Sequence, residues 1–255
     1  NEIVQFAPGI TNLIGGSFRG INPIRMEIGR SLSSFYGYQV IGYFNSAAEV
    51  SSSPAQDGKG LGRFRYADIN GDGKITPADR TYLGSPVPTY TGGVNIGLTY
   101  KDFEFATYLY ASAGNKIWNQ SKWFTDFHGT FEGSGKGERA KQSWTPALGN
   151  SAEAPIWESA SNISTSAAEN SWYVENGDYM RIQNISLGYN IPKSYTSKLG
   201  IKRAKFTLSA NNLLTITKYQ GLDPGVGGAA DTGFGIDVGN YPVTRSFNAS
   251  INLTF

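Results

Sequence analysis

Asp68, Asn70, Asp72, Gly73, Lys74 and Asp79 sit in the stretch Asp68-Ile-Asn70-Gly-Asp72-Gly73-Lys74-Ile75-Thr76-Pro-Ala-Asp79. Their spacing is that of an EF-hand-like calcium loop over residues 68–79. The side chains of Asp68, Asn70 and Asp72 would give oxygen ligands, Lys74 its carbonyl and Asp79 a carboxylate, while Gly73 permits the sharp turn. Calcium needs such a density of hard oxygen donors because it gives up several waters at once. Asp79 is one carbon shorter than the usual Glu, which weakens bidentate coordination. The ion's role would be structural. The alternative is a metal-free turn held by Asx hydrogen bonds, which the same residues also favour.

A second concentration of chemistry is aromatic. All five tryptophans, Trp118, Trp123, Trp144, Trp157 and Trp172, fall between Ser112 and Asp178. Bulky rings gathered in a polar connection imply packing within it, or a surface for a partner or ligand such as a sugar face. The single histidine, His128, lies in the same stretch near Ser121, Asp126 and Glu132. No nucleophile motif surrounds it, so an enzyme reading has little support.

The wider composition narrows the class. A net charge of +2 with no Lys/Arg cluster sets nucleic acid aside, and the lack of cysteine excludes thiolate catalysis, zinc-thiolate sites and disulfides. Thirty-two glycines, abundant Tyr and Phe and only 16% charged residues suit twisted strands and turns. No apolar run approaches the roughly 20 residues of a membrane-spanning helix, so a membrane role would have to use strands.

Strands are what the alternation predicts. From Arg245 to Phe255 the residues Phe247, Ala249, Ile251, Leu253 and Phe255 share one face, and Ser246, Asn248, Ser250, Asn252 and Thr254 the other. Gly92 to Tyr100 and Phe103 to Ala111 form a hairpin about Lys101 and Asp102; Tyr179 to Tyr189 and Lys205 to Leu213 continue the set. Ile24 to Arg30 and Tyr36 to Phe44 also read as strands. The intervening connections run short, long, moderate, long, the asymmetry of an outer-membrane barrel with short periplasmic turns and long extracellular loops. This parity places the Asp68 loop outside. Val94, Ile96, Leu98, Phe206, Leu208, Ile251 and Leu253 should then face lipid, and Asn95, Thr99, Thr207, Ser209 and Asn252 the lumen. The same alternation also fits a soluble β-sandwich with one face in a core. Roughly seven strands fall short of a bacterial barrel, whose count is even and starts at about 8, so part of something larger is expected. The opening at Asn1, without initiator Met or signal peptide, would suit a processed chain or a fragment.

Four blocks carry a family resemblance. They are Tyr66 to Arg80 followed by Leu83-Gly84-Ser-Pro86, Asn176 to Pro192, Asn212 to Pro224, and Tyr241-Pro242 to Phe255. Together they resemble the C-terminal part of SusC/RagA-type, TonB-linked outer-membrane transporters. Gly225 after Asp223-Pro224 departs from the family, where an acidic residue is common. The resemblance implies an all-β fold, an antiparallel transmembrane β-barrel of about 22 strands with a plugged lumen and long extracellular loops, in the Gram-negative outer membrane. Residues 1–255 would be its C-terminal portion, with plug and first strands upstream. It further implies glycan or oligopeptide import with a SusD-like lipoprotein as lid, and the TonB complex as energy source through the upstream part. Phe247, Ile251, Leu253 and Phe255 would form the assembly signal met by the barrel-assembly machinery, with outer-membrane lipid as the surrounding partner. Two other readings stand beside it: a secreted calcium-binding β-sandwich that holds glycans or proteins through the Trp-rich loop, and an outer-membrane structural or assembly barrel that transports nothing.

Overall fold

The computed structural model describes residues 1–227 and 232–255. The first strands are β1 (Asn12–Gly15), β2 (Ile24–Glu27), β3 (Phe35–Tyr38), β4 (Val40–Tyr43), β5 (Phe64–Tyr66) and β6 (Arg80–Gly84). Next come β7 (Tyr90–Tyr100), β8 (Phe103–Ala113), β9 (Lys116–Asn119), β10 (Val174–Asn176) and β11 (Tyr179–Ile191). The last are β12 (Arg203–Thr217), β13 (Ile236–Asp237) and β14 (Ser246–Thr254). Two compact units share the chain. One comprises Asn1–Val87, Asn115–Asn176 and Gly225–Asn240; the other comprises Pro88–Gly114, Gly177–Pro224 and Tyr241–Phe255.

The second unit is one antiparallel sheet in the order β14-β12-β11-β8-β7. Its registers put Leu98 opposite Phe105, Phe105 opposite Leu187, Leu187 opposite Leu208, and Leu208 opposite Ala249, so one face is apolar across all five strands. Val94, Ile96, Phe206, Ile251 and Leu253 lie on it, as the alternation predicts. The opposite face carries Asn95, Thr99, Thr207, Ser209 and Asn252, and there Lys205 and Asn190 both donate to Glu104. Between Ile182 and Asn184 the registers shift: β11 carries one residue more than β8, at Gln183, and β12 one more than β11, at Asn212–Leu213, after which Asn184 pairs with Asn211 and Tyr108. With both extra residues in place Ile182 again stands opposite Leu109 and Leu214. Within this unit nothing covers the apolar face: Phe247 is 72% exposed, and Leu98 and Ile251 are exposed as well. A sandwich would need a second sheet over that face.

Connections differ at the two ends of that sheet. Lys101 and Asp102 turn β7 into β8, and the residues numbered 192–202 link β11 to β12. The stretches before β7, between β8 and β11, and between β12 and β14 all join at the other end, and they supply the first unit.

The first unit buries its own core. Ile24, Phe35, Tyr38, Phe64, Tyr66, Trp118, Tyr173 and Ile236 are all buried in one cluster. Short strands frame it: the sheets β1-β2-β3-β6, β10-β9-β13 and β4-β5. Here the two strands expected at Ile24 to Arg30 and Tyr36 to Phe44 are corrected. The first ends at Glu27 and the second splits at Gln39 into β3 and β4, which pair with different partners. Neither joins the five-stranded sheet. Their aromatic residues serve a closed core, and apolar side chains at successive positions cannot keep the one-sided alternation of a barrel strand. Among the described residues no helix is long and apolar enough to cross a membrane, a statement that leaves strands untouched.

Candidate functional site

The Asp-rich loop is held from within. Asp68 Oδ1 and Oδ2 accept the N–H groups of Gly71 and Gly73 at 2.8 Å each. Asn70 Oδ1 accepts from Asp72 N, and Asp72 Oδ1 from Lys74 N. Gly73 has φ +78° with open space where a Cβ would stand, as the sixth position of the spacing requires. The strand-like partner is Ala55, whose N–H reaches Gly73 O and whose carbonyl accepts from Ile75 N. Ile75 is buried and pins the loop to the core.

Asp79 plays a different part from the one its spacing suggests. Its side chain is buried and accepts from Ile69 N (3.0 Å), Asn70 N (3.3 Å) and Thr76 N (2.8 Å), with the Thr76 hydroxyl at 3.4 Å. With Thr76 it forms a capping box on the short 3-10 turn Pro77–Asp79. Burial alone would raise its pKa, yet the Thr76, Asn70 and Ile69 N–H groups outweigh that and hold the carboxyl below the usual range. Both Asp79 oxygens are therefore committed to bracing the loop. Asp68 is half-buried, while Asn70, Asp72 and Lys74 are exposed, each with oxygen lone pairs free for a cation. With Asp72 Oδ2 also accepting from Asn70 Nδ2 at 3.2 Å, every side-chain oxygen of Asp68, Asn70 and Asp72 is engaged within the loop, which is the bonding of an Asx-held turn; these same oxygens, without Asp79, are the ones the calcium spacing names. Among the described residues, no group of three or more His, Cys, Asp or Glu side chains lies close enough together to form a metal cluster on its own.

Four of the tryptophans go into the first unit's packing. Trp118 is fully buried, stacks on Tyr173 at 4.9 Å and donates its Nε1–H to Gln120. Trp144 is buried and donates to Asn45 Oδ1. The Trp172 ring carries the cations of Lys122 at 5.1 Å and Arg139 at 5.0 Å from its centroid. Around it sits a buried polar set, in which Lys122 pairs with Glu175 at 2.8 Å and Arg139 with Asp126 at 3.3 Å. Burial pushes the Lys122 pKa down and the Asp126 pKa up against those attractions. Trp123 is half-buried beside Phe18, Phe124 and Phe131. Only Trp157 is largely open, 46% exposed, with His128 stacked on it at 4.7 Å. His128 and Asp126 do not form a relay, since Asp126 turns to Thr125 and Arg139. The strand residues named as an assembly signal lie on the apolar face of β14 (Phe247, Ile251, Leu253), with exposed Phe255 one position beyond it.

Spacing did not reveal two further groupings. Arg181 pairs with Asp223 at 2.6 Å and donates to Thr215 Oγ1, and Asp223 also accepts Val243 N, so residues 42 apart in sequence fasten three segments. Arg25, Arg80 and Glu169 meet at a cleft in the first unit. Nothing in the local sequence around any of the three signals that meeting.

No family model matches the chain. A TonB-dependent receptor of Formosa agariphila, P3, is 32% identical over 238 residues, covering 89% of this chain and 22% of that receptor. A second from the same organism, P26, is 30% identical over 96% of the chain and 25% of its own length. The TonB-dependent receptor SusC of Bacteroides thetaiotaomicron is 26% identical over 90% of the chain and 20% of its length. The chain therefore spans about a fifth to a quarter of the relatives it matches. Among solved structures, the RagAB peptide transporter aligns over 100% of this chain and 25% of its own, with TM-score 0.75 and 23% identity. At that identity the likeness speaks for the fold.

Proposed function

We propose, from the premise that this chain is a SusC-type TonB-dependent receptor sequence of the Gram-negative outer membrane and not an enzyme, that it forms part of a plugged transmembrane barrel importing a nutrient. The supporting observation is the five-stranded sheet. One of its faces is apolar and uncovered within its unit, the other is hydrogen-bonded and polar, and its long connections all join one end. Such a sheet suits hydrocarbon on one side and water on the other. Closure into about 22 strands would use sequence that the relatives carry beyond the matched stretch. Energy would come from the TonB complex and capture from a SusD-like lipoprotein, as the family of the relatives implies. The imported class is a glycan or an oligopeptide.

The test is uptake. Cells lacking the gene should lose growth on, or accumulation of, a labelled glycan or oligopeptide mixture, and collapse of the proton gradient should abolish uptake by unaltered cells. Unchanged uptake in both tests would reject import and leave the structural barrel. Calcium belongs to the same proposal as a loop stiffener on the outside, held by Asp68, Asn70, Asp72 and the Lys74 carbonyl. Calorimetric titration of chelated protein beside Asp72→Ala decides it; no heat from the unaltered protein at millimolar calcium leaves a metal-free turn.

A further inference from the structure

The first unit contains a cleft of about 180 Å³ whose apolar side is lined by buried Ile24 and by exposed Ile14 and Pro77. Arg25, Arg80 and Glu169 line its polar side. The guanidinium of Arg25 lies over the ring of Tyr36 at 4.8 Å, and that of Arg80 over the ring of Tyr38 at 5.1 Å. Stacking fixes each planar fork while leaving donors at its edge. Neither fork is saturated: Arg25 gives one Nη to Glu27 at 2.6 Å and Arg80 gives one Nη to Glu169 at 3.4 Å, while the Nε of each is buried without an acceptor among the described residues, so the donors a ligand can reach are the remaining Nη groups.

Exposure differs among the charged groups that line the cleft, while Glu27, paired to Arg25 from outside the lining, is 34% exposed. The Arg25 and Arg80 side chains are 31% and 32% exposed, whereas that of Glu169 is only 8% exposed. Glu169 is moreover occupied, since its Oε1 accepts Asn22 N at 3.0 Å and its Oε2 faces Arg80. Glu27 is occupied likewise, by Arg25 and by the Tyr82 hydroxyl at 2.5 Å. What remains open to a ligand is therefore the free Nη donors of two partly exposed arginines beside the apolar side of the cleft. A carboxylate is the group that fits, because its two oxygens match the paired N–H bonds of a guanidinium fork.

We propose that this cleft binds a ligand carboxylate, the acid group of a uronic sugar or the free end of a peptide, through Arg25 and Arg80. Glu169 acts as a positioning residue that holds Arg80 in place. The inference deepens the import reading, on which the natural source of the ligand rests, but the binding itself does not depend on transport.

The experiment uses the intact receptor in detergent with D-glucuronate and N-acetyl-dialanine as probes. Their uncharged forms, the methyl ester and the amide, are the controls. The acids should bind in the millimolar range and the uncharged forms should not. Arg25→Gln, and separately Arg80→Lys, which keeps the charge but loses the fork, should each weaken binding by about tenfold or more. If Arg80→Lys disturbs folding through Glu169, Arg25→Gln alone decides. Preference for glucuronate or for the peptide acid identifies the source. Equal binding of acid and uncharged form, no binding of either acid, or full affinity in Arg25→Gln overturns the proposal. Lost uptake with retained binding, or the reverse, shows which of the two readings has failed.

Discussion

The two units solve the burial problem in opposite ways. The first packs Phe35, Phe64, Tyr66, Trp118 and Tyr173 into a closed cluster bounded by strands of two to five residues, with ion pairs and stacked cations at its margins. The second has five strands of 9 to 15 residues and leaves its apolar side chains uncovered within its own boundaries. The lesson is about solvent. A chain that supplies its own interior can use aromatic residues in any local order, whereas a sheet set between two media must alternate strictly, because a one-residue slip would exchange its faces.

The sharpest way to break that contrast is in the core. Trp118→Ala should cost about 3–5 kcal/mol in the first unit, from lost contacts and the cavity left against Tyr173 and Phe35. The loss would show as earlier urea unfolding of the intrinsic fluorescence signal. Next in size, Leu253→Arg should cost about 2–4 kcal/mol if it lies near the bilayer midplane, and Asn252→Arg much less. Refolding into lipid vesicles measures both, and equal penalties would abolish the distinction between the faces.

Smaller effects sharpen the picture of the loop. Asp79→Ala should cost about 1–3 kcal/mol, chiefly from the buried N–H groups left without an acceptor. Because the folded carboxyl titrates below its unfolded value, its contribution is full above about pH 4 and fades as pH falls through the folded pKa. Amide exchange at Ile69, Asn70 and Thr76, corrected for intrinsic rate, should accelerate in that window and stay flat in the variant. The smallest change is expected at Trp157→Ala, within about 0.5 kcal/mol, since the ring is 46% exposed and among the described residues stacks on His128 alone.

Legibility in the sequence followed the same divide. The long strands could be read to within a few residues because period two leaves a repeating mark, and their antiparallel neighbours follow from their order in the chain. The bulge at Gln183 left no such mark. In the first unit β3 and β4 merged into one expected strand because aromatic residues continue across Gln39. Asp79 illustrates a subtler limit: spacing identifies a carboxylate at the twelfth position without saying whether it faces an ion or the backbone behind it. Arg181 with Asp223, and Arg25 with Arg80 and Glu169, were invisible because tertiary folding alone brings them together.

The parallel pairing of Ile236 with Trp118 carries a consequence in time. The first unit is drawn from three separate stretches, and the two partners of this contact stand more than a hundred positions apart, so the core around Trp118 cannot finish until most of the sheet-forming sequence has been delivered. Such distant closure is slow. The tryptophan-rich middle of the chain would thus complete its packing only after the stretch around Ile236 is in place, later than the hairpin of β7 and β8, whose partners are neighbours in sequence.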